Sequence, residues 1–187
     1  ESVAMLQSES ERLSRLTENL MTLARSDEDF LPVYTAQVDM TAMCKKVAAQ
    51  MTLLAAEKRL QLKQKIQDNL IMQGDEMALS RLLIILLDNA MKYSPEQTQI
   101  TLRAAKVKTH LVLEVRDEGC GISDEDKQKI FDRFFRVDKA RSRSQGGLGL
   151  GLSLALAIVR QHGGSIKVLD NKPRGTIIYV KLPMAAK

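Results

Sequence analysis

Four glycines fall within six positions, 146–151, in the run GGLGLGL, and an apolar, helix-compatible segment over residues 152–161 overlaps its end. Glycine lets a backbone turn freely and lets another molecule approach its N–H groups. The start of a helix adds unpaired N–H groups and a partial positive charge. Together these make an anion site, most often for phosphate. A Walker loop ends in Gly-Lys-Ser/Thr, but here Leu152 and Ser153 follow Gly151. A dinucleotide fingerprint reads G-x-G-x-x-G directly after a strand. Gly147, Gly149 and Gly151 instead give G-x-G-x-G after a polar, basic stretch. The lysine strand, HRD and DFG segments of eukaryotic-type protein kinases do not occur. Taken alone, the run is equally compatible with a glycine-rich turn that binds nothing.

Two further groups carry chemistry of the same kind. Asn89, Lys92 and Tyr93 stand at i, i+3 and i+4, so on a helix they share one face. An amide oxygen can ligate Mg²⁺, which also binds phosphate oxygens. A lysine can meet phosphate as a point charge, and a tyrosine could cover a base or ribose. The plainer alternative is a frayed helix end with ordinary polar residues. Asp117-Glu118-Gly119-Cys120-Gly121 follows a strand-like segment. A carboxylate only accepts hydrogen bonds, so Asp117 would read an exocyclic amine of the kind adenine carries. The alternative there is a strand-to-helix turn.

The elements that would position these groups follow from periodicity. Residues 1–25 read as an amphipathic helix, with Val3, Leu6, Leu13, Leu16, Leu20 and Leu23 at heptad-like steps. A linker over residues 26–37 carries an acidic run and Pro32. A second helix is expected over residues 38–59, capped by Asp39 or Thr41. A strand follows around residues 60–66, with 69–73 pairing beside it. The third helix opens at the N-cap Asp75 and runs to Tyr93, burying Leu79, Leu82, Leu83, Leu86 and Ala90; Pro95 stops it. Strands over 98–107 and 110–116 form a hairpin around Lys108-Thr109. Ser123 and Asp126 resemble a capping box for a short helix over 124–131. The polar loop 134–145 leads to the glycine run and its helix. His162-Gly163-Gly164 closes that helix, and strands over 165–169 and 176–182 end the chain. Hairpins and a late strand pair imply an α/β two-layer sandwich: a mixed sheet of about five strands, three helices on one face, and a separate helix in front.

Composition narrows the function. The chain has 187 residues, 44% hydrophobic and 27% charged, ordinary for a globular protein. No apolar run approaches the ~20 residues of a membrane span, so no membrane contact is expected of this segment. Cys44 and Cys120 suggest no disulfide framework, and the expected home is the cytoplasm. The net charge of +5 is uneven: residues 1–30 hold seven acids and three bases, leaving +9 on the remainder. A basic domain suits an anionic ligand. Aromatics are only 4% and are not interleaved with the basic residues, which disfavours nucleic acid.

The segments LLDNAMKYS (86–94), DEGCGI (117–122), IFDRFFR (130–136) and GGLGLGLSLA (146–155) occur in this order. They resemble the N, G1, F and G2 boxes of bacterial sensor histidine kinases. ESERLSRLTENLMTLAR (9–25) is similar to the second helix of the family's dimerisation and phosphotransfer domain. The resemblance implies the ATP-binding fold shared with gyrase and MutL, with ATP and Mg²⁺ as cofactors. It implies domains over 1–25 (a dimerisation-domain helix) and 38–187 (ATP-binding), joined by the linker. It implies Asn89 as Mg²⁺ ligand, Lys92 and Tyr93 along the nucleotide, and Asp117 on the adenine amine with Gly119, Gly121 and Ile122 around the base. Arg133 would reach the terminal phosphate. Gly147, Leu148, Gly149, Leu150 and Gly151 would wrap the phosphates, under a lid over residues 137–145 with Lys139, Arg141 and Arg143. The γ-phosphoryl group would pass to a histidine on a dimerisation-domain helix, then to an aspartate of a response regulator. The parent would be a homodimer anchored in the inner or plasma membrane. Many relatives carry an asparagine where this chain has Ile85, removing one contact to metal or phosphate. Neither His110 nor His162 fits the phosphoacceptor, so this segment is expected to bind ATP without labelling itself. A scaffold that binds nucleotide without transferring phosphate, and a serine kinase of the same fold, are the alternatives.

Overall fold

The computed structural model describes Thr17, residues 36–137 and residues 149–184. The chain forms two compact units, Glu1–Pro32 and Val33–Lys187. The helix expected over residues 1–25 lies outside the described residues, apart from Thr17, which is helical. The linker also lies outside them, apart from its last two residues.

The second unit opens with strand β1 (Ala36–Asp39) and helix α1 (Met40–Glu57). Strands β2 (Gln61–Ile66) and β3 (Ile71–Gly74) precede helix α2 (Glu76–Tyr93). Then come β4 (Gln99–Val107), β5 (His110–Arg116), helix α3 (Gly151–Gln161), β6 (Ser165–Asp170) and β7 (Thr176–Pro183). The main sheet runs β2-β4-β5-β7-β6. Its β2–β4 pair is parallel and its other pairs are antiparallel, so the sheet is mixed.

Alternation along the strands decides which face is covered. Register places Leu102 opposite Val115 and Ala104 opposite Leu113, with Ile178 and Val180 next across. All six are buried, and α1, α2 and α3 pack on this face. The helices contribute Met43, Val47, Leu79, Leu82, Leu83, Leu86, Leu154 and Ile158 to the same core. Each buried side chain of this kind contributes about 1.5–3 kcal/mol of transfer free energy. The opposite face is polar. Its Glu114 is buried because Arg103 and Arg116 close over it at 2.7 and 2.6 Å.

Three expectations need correction. Residues 69–73 do not extend the main sheet; β3 pairs with β1 in a separate two-stranded ribbon. Asn69 takes a positive φ of 59°, which turns the chain away from β2. Leu70 then gives its N–H to Thr41 Oγ1 and its carbonyl to Met40 N–H, tying β3 to the start of α1. The second helix begins at Met40 rather than residue 38, because Ala36–Asp39 is taken up in that ribbon. The short helix over 124–131 is a series of turns ending in a 3₁₀ turn, Lys129–Phe131. Lys127, held at once by Asp124 and Asp170, draws this segment onto β6. The Ser123 hydroxyl donates to the Asp126 carboxylate.

Asp39 and Asp75 are the N-caps of α1 and α2, accepting from Ala42 and Ala78 N–H at 2.9 and 3.0 Å. Asp39→Ala removes one such acceptor from a solvent-exposed cap, and urea unfolding should read a loss of about 1 kcal/mol.

Candidate nucleotide site

Asp117 terminates β5 with only 7% of its surface exposed. Its Oδ1 accepts hydrogen bonds from Gly119 N–H at 2.8 Å and Thr176 N–H at 3.1 Å. Burial pushes its pKa above the ordinary 3.8, and these two amides pull against that rise. Both bonds go to one oxygen, so Oδ2 remains for a donor from outside the chain. The backbone around it is held from three sides. Asn171 Nδ2 donates to Asp117 O, and Arg174 Nε donates to Gly119 O. Gly175 has φ +115°, and a Cβ there would run into the Asp117 carbonyl.

Gly119 joins this loop to α2. A Cβ at that position would lie 2.6 Å from Tyr93 O and 2.8 Å from Asp117 Oδ1. Only glycine lets the two backbones approach this closely. Gly121 follows with φ +78°, Ile122 is half-buried and Cys120 is exposed. Cys44, by contrast, is buried, with its thiol pushed up to about 12.

The last turn of α2 carries Asn89, half-buried, and Lys92, whose Nζ stands 5.6 Å over the Tyr93 ring. Burial lowers the pKa of Lys92, and the Arg136 charge lowers it further. Burial raises the pKa of Tyr93, with Arg136 opposing. Arg136 is thus felt as a charge at both Lys92 and Tyr93. Its Nη2 is buried and makes no hydrogen bond. Two cations and an orphaned donor are arranged for an anion. Arg133 is exposed on the same segment as Arg136.

The described end of the glycine run packs between the F segment and α2. Gly149 has φ +72°, and a Cβ there would meet Phe134 C and Phe135 O at 2.9 Å. Phe134 N–H donates to Gly149 O at 3.0 Å. Leu150 is buried and N-caps α3. A Cβ on Gly151 would sit 3.5 Å from Ile85 Cγ2 and 3.9 Å from Asn89 Nδ2, so the start of α3 faces Asn89. Gly147, Leu148 and the basic lid residues lie outside the described residues.

One strip of contacts thus runs from Asp117 through Gly119 and Tyr93 to Lys92, Asn89 and Gly151. Sequence reasoning gave Arg136 no role. The available signal was its place at the end of a basic-aromatic segment, three residues after Arg133. Neither histidine is presented as a nucleophile. His162 is buried with both ring nitrogens in hydrogen bonds, and Nδ1 of His110 is engaged with the Thr109 hydroxyl at 3.0 Å. Among the described residues no helix is long and apolar enough to cross a membrane. No group of three or more His, Cys, Asp or Glu among them could hold a metal.

Known proteins resemble this chain in sequence and fold. The chain is 41% identical over 182 residues to the sensor protein CiaH of Streptococcus pneumoniae, covering 97% of this chain and 40% of that protein. The chain therefore spans well under half the length of this relative. The structure matches the Acinetobacter baumannii histidine kinase AdeS with a TM-score of 0.80 at 26% identity, over 97% of this chain and 83% of that one. Full-length ShkA, solved in complex with AMPPNP, has the same fold: the TM-score is 0.85 at 23% identity, over 99% of this chain and 38% of that one. The family of histidine kinase-, DNA gyrase B- and HSP90-like ATPases matches residues 74–186, more than half of the sequence, and the chain belongs to it.

Proposed function

We propose that this chain is the catalytic, ATP-binding part of a two-component sensor histidine kinase. The observation that carries the reading is the continuous strip joining a buried adenine-type acceptor, Asp117, to a convergence of cations and helix-start amides. Asp117 Oδ2 takes the adenine amine, and Gly119 and Gly121 leave room for the ring. Lys92, Arg136 and the amides around Gly149–Gly151 receive the phosphates. Arg133, exposed on the neighbouring segment, remains a second candidate for the terminal phosphate. The Asn89 amide oxygen is the group that would ligate Mg²⁺, whose chemistry is to neutralise charge between phosphate oxygens.

Phosphoryl transfer asks a protein chiefly for alignment and charge neutralisation, and this site offers both. The nucleophile is a histidine nitrogen on a dimerisation-domain helix. It bonds to the γ-phosphorus as the β–γ bridging bond breaks, and ADP leaves. The phosphoryl group then passes to an aspartate of a response regulator. In the parent, which we place in a membrane as a homodimer, residues 1–25 belong to that dimerisation domain and residues 26–37 link it to the ATP-binding domain.

Titration with a non-hydrolysable ATP analogue, with and without Mg²⁺, tests the pocket. Asp117→Asn should weaken binding by ~1.5–3 kcal/mol, as for a charged hydrogen bond; unchanged affinity would exclude this adenine contact. Arg136→Ala should weaken the triphosphate far more than adenosine, whereas an equal loss for both would place Arg136 away from the phosphates.

The pH profile follows from Asp117. Its folded pKa is raised above 3.8, so folding stability falls slightly as the carboxyl ionises with rising pH. Binding runs the other way, because the adenine amine needs the ionised acceptor. Affinity should be flat near neutrality and fall on acidification with a midpoint above 3.8. Asp117→Asn should abolish that dependence.

A further inference from the structure

His162 is buried at the far end of α3, and neither ring nitrogen is free. Nδ1 lies 2.8 Å from Ile158 O. A carbonyl can only accept, so Nδ1 carries the proton. Nε2 is then an acceptor, and it takes the N–H of Asp75 at 3.1 Å. Asp75 is the N-cap of α2. One imidazole therefore bonds the last turn of α3 to the first residue of α2. The bond spans 87 positions of sequence. Gly74 makes the space for it: a Cβ there would lie 3.1 Å from His162 Cδ2 and 3.2 Å from Nε2.

The two helices run antiparallel. At the other end of the pair, Gly151 of α3 faces Ile85 and Asn89 of α2. His162 and Gly151 are eleven residues apart, about 16 Å along a helix. Asp75 and Asn89 are fourteen apart, about 21 Å. The pair thus has a hydrogen-bonded rung at one end and the phosphate-facing residues at the other. Apolar burial between the helices is non-directional. A hydrogen bond to a ring nitrogen fixes position along the axis.

We propose that His162 is a positioning residue for the nucleotide site. It sets the axial register of α3 against α2, and so the distance between the Gly149–Gly151 amides and the Asn89–Tyr93 face. This rests on the nucleotide-binding reading above, but its structural part can be read without nucleotide.

Two variants separate register from bulk. His162→Gln keeps an acceptor that can reach the Asp75 N–H, whereas His162→Leu fills the space without one. Loss of one buried hydrogen bond should weaken ATP-analogue binding about tenfold in His162→Leu, measured where urea titration shows the protein fully folded, with His162→Gln within about threefold of the parent. Equal affinity for all three proteins would overturn the proposal. Amide exchange supplies the second reading, in the absence of nucleotide. The Leu154 and Phe134 amides, bonded to Leu150 O and Gly149 O, should exchange faster in His162→Leu while those of β4 and β5 do not. Acceleration shared by every strand would mean general destabilisation and would overturn it too. Failure of the parent protein to bind the analogue would sink the nucleotide reading instead, and the exchange data would still decide the role of His162.

Discussion

Asp117 Oδ1 receives two backbone amides from opposite sides: Gly119 N–H in its own loop and Thr176 N–H at the start of β7. A buried carboxylate is costly unless its lone pairs are used. These two bonds make the burial tolerable, and they also fix where the loop after β5 can go. Once it is fixed, Gly119 must pass against the Tyr93 carbonyl and Gly175 against the Asp117 carbonyl. Strand, hairpin and helix end are thereby held in one arrangement, and the remaining carboxylate oxygen keeps a set direction. Electrostatics and backbone sterics act through the same few atoms.

The opposite end of the strip is built on repulsion. Arg136 and Lys92 act on each other as like charges in a partly desolvated place, with one guanidinium nitrogen left unbonded. Lys92 Nζ lies over the Tyr93 ring at 5.6 Å from its centroid, a cation–π contact. Ile85 Cγ2 would lie 3.5 Å from a Cβ on Gly151, so an aliphatic side chain borders the start of α3.

The two walls of the site belong to different layers of contact. Asp117 and its glycines are fixed by strand ends and a hairpin. Asn89, Lys92 and Gly151 are fixed by the packing of α2 on α3. The two walls meet where Gly119 passes against Tyr93 O.

The glycine run, the Asn89–Tyr93 spacing and the Asp117 segment were readable from residue order alone, because each is a local backbone or helix-face property. So were the three helices, the Asp39 and Asp75 caps and all five strands of the main sheet, since periodicity and capping are short-range. Tertiary contacts decided the rest. Alternation cannot name a strand's partner, so only the turn at Asn69 and the bonds from Leu70 to Thr41 and Met40 showed that β3 leaves the main sheet for β1. Periodicity could not foresee that Lys127 would hold residues 124–131 in turns against Asp170. Nor could spacing show that Arg136 acts on Lys92, or that His162 bridges two helices 87 positions apart. Those are properties of groups brought together by folding, and their charges and hydrogen bonds depend on distances that no local pattern encodes.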